Sequence, residues 1–320
     1  MTRNNLRQLL NVKHPIIMAP MFLVTNTKMM IEALNNDIAA CIPALNFRTN
    51  KELRNAIQEI RKNTKSNGLG INLIVNKSNL KMIEQLKTCL DLEVDFIITS
   101  LGNPKKVIDA CKKKEIKVFC DVVEENYARK VEEIGADAII AVNKNAGGHA
   151  GVLNSKELIT RIRKVCSIPI ISAGGVGSKL GVEKKITEGY TGVSIGSPFI
   201  ACEESDVSEE YKQACVKYGA KDIVFTTKIS GTPCTVINTP YVQKIGTTQN
   251  WLEKLMSRNK KLKKWIKIIT YLKGMKSIRQ AAFSSTYKTV WCAGPSIEYT
   301  SKILPIKQII RQLTSGNCNL

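Results

Sequence analysis

Short, nearly continuous apolar runs recur along the chain, separated by segments of helical periodicity. They are Ile16–Ala19, Ile38–Ile42, Gly70–Ile74, Asp95–Thr99, Ile116–Cys120, Ala136–Val142, Ile168–Ser172 and Gly192–Gly196. A strand exposed on one face alternates apolar with polar residues. These runs scarcely alternate, so they predict strands buried on both faces, in a parallel sheet covered by helices. Eight strand–helix units in succession predict an α/β fold, a (β/α)8 TIM barrel. An open doubly wound sheet is the alternative. No G-x-G-x-x-G follows the first strand, where a dinucleotide-binding sheet would carry it.

The rhythm stops after Cys202-Glu203-Glu204. Residues 1–204 are therefore read as the barrel, completed by 291–320, whose Ile303–Ile310 run supplies the last helix. Residues 205–290 are read as a smaller, basic, mostly helical inserted domain. Tyr211 to Val224 reads as a helix and a strand, and Thr226 to Pro233 as a loop. From Lys254 to Arg279 there are ten Lys or Arg and no acidic residue. Leu255, Leu262, Trp265, Ile266, Ile269 and Leu272 recur there at helical spacing, which predicts an amphipathic helix. Its basic face is either simply solvated or a docking surface for an acidic partner.

Composition narrows the class. Of 320 residues, 43% are hydrophobic, enough for a large core. Ten cysteines contain no C-x-x-C pair, and several lie inside apolar runs. That favours reduced thiols over a disulfide frame or zinc site. The N-terminus lacks a signal-peptide core and no apolar run approaches membrane-spanning length, so a cytoplasmic protein is expected. The net charge of +21 leaves nucleic acid, membrane surface or an acidic protein open as partners.

In a barrel of this kind, chemistry sits where strands end and the following loops begin. The first strand ends in Ala19-Pro20-Met21, the third carries Asn72, the fourth ends in Thr99-Ser100 and the fifth in Asp121. The sixth opens into Asn145-Ala146-Gly147-Gly148-His149-Ala150-Gly151. The seventh ends in Ser172-Ala173-Gly174-Gly175, and the eighth carries Ser194, Gly196 and Ser197. Glycines after the last two strands suit a phosphate held by backbone N–H groups. His149 is one of two histidines, and an imidazole among glycines at a strand mouth suits proton transfer near neutral pH. The other, His14, precedes the first strand. No His/Cys/carboxylate cluster has metal-ligand spacing.

Pro20-Met21, Gly70-Ile71-Asn72, Ala146 to Gly151, Pro169 to Gly175 and Ser194 to Ser197, in this order, resemble the nitronate monooxygenase family, formerly the 2-nitropropane dioxygenases. The likeness spans roughly residues 10 to 235. It implies an FMN-binding barrel that oxidises alkyl nitronates with oxygen. It further implies that Ala19, Pro20 and Met21 lie beside the flavin ring and that Asn72 hydrogen-bonds it. Gly147 and Gly148 would approach the ring. Ser172, Gly174, Gly175, Ser194, Gly196 and Ser197 would take the phosphate, and His149 would be the catalytic group. Val142 stands where many members carry glutamine, and Met18 where glutamine or alanine is common.

Two other flavin barrels compete. The FMN-dependent NAD(P)H enoyl-acyl carrier protein reductases have a similar Gly-Gly-His loop and use an acidic carrier protein, which the 254–279 segment would suit. They usually have a glycine pair where this chain has Phe22-Leu23. The tRNA-dihydrouridine synthases are often basic but typically use a cysteine acid and lack this loop, which makes nucleic acid the weaker partner. The substrate expected is a small molecule, used with oxygen by a chain that could form oligomers.

Overall fold

The computed structural model describes residues 5–227, 233–248 and 290–315. The basic segment 254–279 lies outside the described residues.

Eight parallel strands close into a barrel. They are β1 (Ile16–Met18), β2 (Ala39–Pro43), β3 (Leu69–Ile74), β4 (Phe96–Ser100), β5 (Lys117–Val122), β6 (Ala138–Val142), β8 (Ile170–Ala173) and β9 (Gly192–Ile195). β9 returns to pair with β1, with Ser194 opposite Ile17. The expected eight strands are all present, within a residue or two of their expected bounds. The two late starts have local causes. Asp137 is kept out of β6, its carboxylate accepting from the Val118 N–H at 2.8 Å. Pro169 has no N–H to offer a ladder, and β8 begins just after it.

Successive residues point alternately into the barrel and out to the helices. Ile17, Cys41, Ile98, Phe119, Ile140 and Ile171 form the inner core, sealed at the N-terminal end by Leu6 and Leu10. Phe96 and Phe119 fill its centre, ring centroids 5.2 Å apart. Gly70 makes room for them, since a Cβ there would lie 2.2 Å from Phe96 Cζ. Outward residues such as Ile71, Ile97, Val118 and Ile139 pack under the helices. The helix Ile306–Thr314 packs against the helices Thr27–Asn35 and Lys179–Thr187. The Ile306 N–H donates to Glu204 at 3.1 Å, which ties the returning chain to the residues where the barrel rhythm stops.

A second, three-stranded antiparallel sheet stands beside the barrel. Its strands are β7 (Gly148–His149), β10 (Ile223–Thr226) and β11 (Cys234–Ile237), in the order β10-β11-β7. The glycine-rich stretch expected as a loop is therefore partly an edge strand. Between residues 205 and 248 the described chain also contains the helices Glu209–Lys217 and Pro240–Ile245. Tyr211 on the first stacks on Trp291, centroids 5.6 Å apart. Among the described residues no helix is long and apolar enough to cross a membrane.

Candidate active site

The last inward layer of the barrel is polar where the layers below are apolar. Asn72, Ser100, Asp121 and Ser194 occupy it, with Val142 and Ala173 between them, and all six line a cavity of about 620 Å3 at the C-terminal mouth. That size falls within the roughly 300–1,000 Å3 typical of cofactor and substrate sites.

One wall is the loop after β1. Asn46 holds it, its Oδ1 accepting from Leu23 N–H at 2.9 Å and its amide donating to Thr25 O at 2.8 Å. Leu23 is thereby kept at φ 58°, a left-handed conformation that glycine adopts without cost. Ala19, Pro20 and Met21 face the cavity from this loop.

The adjoining wall is glycine-lined. Gly174 and Gly175 have φ of 111° and 77°, and a Cβ on Gly174 would lie 2.4 Å from the Ala146 nitrogen. Asn143 binds the two loops, accepting from Asn145 N–H at 2.8 Å and donating to Gly174 O at 3.0 Å. A Cβ on Gly147 would lie 2.9 Å from Ser197 Oγ, which itself accepts from Gly294 N–H at 2.8 Å. Gly147, Gly148, Gly174, Gly175, Ser194, Gly196 and Ser197 all border the cavity.

Ser172 does not. Ile171 lies in the inner core and Ala173 lines the cavity, so strand alternation turns Ser172 to the helical side. Ser172, expected to contact a cofactor, faces away from the cavity, and Ala173 lines it there.

His149 stands over the cavity on β7. Its side chain is exposed at the surface of the sheet, yet the protein crowded around it excludes part of its water. Desolvation therefore lowers its pKa from the usual 6.5, which favours the neutral imidazole at pH 7. β11 holds it in place, with Cys234 as its cross-strand partner. Thr235 Oγ1 donates to Ala146 O at 2.7 Å. Cys234 and Cys292 add thiols to the same wall, with Sγ atoms 3.7 Å apart. His14 precedes β1 at the barrel's other end, where its backbone N–H donates to Asp37 O.

The floor carries a polar chain. Asn72 Nδ2 donates to Ile98 O at 3.1 Å and to Ser100 Oγ at 2.8 Å, and Ser100 donates to Asp121 Oδ2. Burial pushes the Asp121 carboxyl up to about 6, and the Ser100 hydrogen bond only partly offsets this. No Lys or Arg is among the described residues lining the cavity.

The family model described as nitronate monooxygenase matches residues 44–316. This chain belongs to the nitronate monooxygenase family. A relative from Staphylococcus aureus strain JH9, described as a probable nitronate monooxygenase, is 27% identical over 287 residues, covering 76% of this chain and 80% of the relative. The solved structure of FabK from Thermotoga maritima superposes with a TM-score of 0.83 at 28% identity, over 98% of this chain and 95% of that one. Nitroalkane oxidase from Streptomyces ansochromogenes has a TM-score of 0.79 at 18% identity, over 96% of each chain, and shares the fold. Family membership makes the chain an oxidoreductase, of a flavin-dependent family.

Sequence reasoning assigned no role to Ser100, Asp121, Asn143, Cys234 or Cys292. For Ser100 and Asp121 the signal was available. A polar residue on the inward register at a strand's C-terminal end marks the same layer as Asn72. Cys234 and Cys292 meet His149 only through the small sheet, which strand periodicity in the barrel does not reveal.

Proposed function

We propose that this protein binds FMN and oxidises small alkyl nitronates with molecular oxygen. The observation that carries the reading is the placement of His149, an imidazole on the wall of a cavity that also contains a glycine cradle. The cradle suits one phosphate. Its glycines adopt backbone conformations that let amides approach an anion, and bulk is barred from that space. Gly174, Gly175, Gly196 and Ser197 would hold the phosphate, with Ala19, Pro20, Met21 and Asn72 beside the ring. Bound flavin would supply electron transfer and the reaction with oxygen.

The chain's own residues do the rest. Phe22, Val24, Leu45 and Ile200 give the cavity an apolar side that suits an alkyl group and excludes water. Neutral His149 accepts the α-proton of a nitroalkane. Where the nitronate is supplied already formed, its N–H orients the nitro oxygens.

Anaerobic mixing tests the class. A small alkyl nitronate should bleach the flavin, and NADH alone should not. Bleaching by NADH followed by reoxidation with an enoyl thioester would replace this reading by the enoyl reductase one.

A further inference from the structure

We propose that Asp121 is the proton-holding residue of the flavin site, taking up one proton when the flavin is reduced and releasing it on reoxidation. This rests on the flavin reading above.

The geometry is a directed chain. Both hydrogens of the Asn72 amide are used, one on Ile98 O and one on Ser100 Oγ. Ser100 thus accepts from Asn72 and has its own hydrogen for Asp121 Oδ2. Every dipole in the row points its positive end at the carboxylate, and all three side chains face the cavity. The row spans the ends of three adjacent strands, β3, β4 and β5.

The surroundings decide how added charge is met. Asp121 acts electrostatically on Cys41 of β2, on Cys120 of its own strand and on Tyr127 of the following helix. Burial pushes all three upward, so each is neutral at pH 7. Glu124 and His149 border the same cavity, and His149 is lowered by desolvation. None of these is a cation at neutral pH, and no Lys or Arg lines the described cavity. Asp121 itself is already held near 6 by burial. A new negative charge in this space would raise it further, because like charges disfavour joint ionisation. Proton uptake by Asp121 would meet that charge.

The step balances. A bound flavin would accept two electrons and one proton on reduction. The Asp121 carboxylate takes a second proton to become the carboxylic acid. Dithionite supplies the electrons in a titration and the oxidised substrate carbon supplies them in turnover. Oxygen takes the two electrons together with both protons and leaves as hydrogen peroxide, which returns Asp121 to the carboxylate.

The test is the flavin reduction potential measured against pH, from 6 to 8, in wild type and Asp121→Asn. One extra proton per two electrons steepens the dependence by about 30 mV per pH unit. Wild type should show that excess and Asp121→Asn should lack it. Proton uptake by wild type on dithionite reduction at pH 7 gives a second reading that needs no variant, and should approach two per flavin. Equal slopes in the two flavin-loaded proteins, or uptake of one proton, would overturn the inference alone. A wild-type protein that takes up no flavin would overturn the flavin reading, and this inference with it.

Discussion

Cys234 lies directly across the small antiparallel sheet from His149. The candidate base is therefore positioned by a strand far along the chain rather than by its own barrel strand. Thr235, next on that strand, is buried and donates to Ala146 O. Thr235→Val removes the hydroxyl and leaves that carbonyl unpaired, a loss of about 1–3 kcal/mol for a buried group. The expected outcome is retained flavin with a several-fold lower kcat, measured by steady-state oxygen uptake. The hydrogen exchange of the 146–149 backbone should rise in parallel.

Gly174 tests the cradle. At φ 111°, with a Cβ position 2.4 Å from the Ala146 nitrogen, it tolerates no side chain without a backbone shift. Gly174→Asp drives a side chain into the Asn143–Ala146 loop and displaces the cradle. The variant should keep its far-UV circular dichroism and lose bound flavin on gel filtration.

The barrel was legible because a strand buried on both faces can scarcely be anything else. Ile16–Met18 through Gly192–Ile195 stand nearly where the apolar runs predict. The glycine-bearing ends were legible for a similar reason, since chemistry in this fold is confined to strand ends. Ser172 was misplaced because a motif records sequence adjacency, while the pleat alternates direction at every residue. The small sheet was not legible. Gly148 and His149 read as a turn, and the two-residue strand they form exists only because Cys234 and Thr235 pair with it.

Asp121 makes stability depend on pH. Its folded pKa, about 6, lies above the usual carboxylate value of 3.8. Folding therefore favours the protonated form, and the cost of the buried charge grows as pH rises from 3.8 to 6 and is constant above. Each pKa unit corresponds to about 1.4 kcal/mol, giving a ceiling of about 3 kcal/mol. Asp121→Asn should raise Tm relative to wild type at pH 8, and the gain should shrink toward pH 4. Thermal melts at three pH values check this.

His149 sets a second pH limb. Proton abstraction needs the neutral imidazole, and desolvation places its pKa below 6.5. With neutral nitroalkanes, kcat/KM should rise with pH and complete most of its rise before 6.5. The limb should be absent in His149→Ala.

The central claim is that His149 handles the substrate proton over a bound flavin. Its most direct test is the turnover of His149→Ala on the same compound supplied as neutral nitroalkane and as pre-formed nitronate. A positioned base contributes about 10²–10⁴-fold. The variant should retain flavin, lose about a hundredfold or more with the nitroalkane, and lose much less with the nitronate. Equal activity of variant and wild type on both forms would contradict the account.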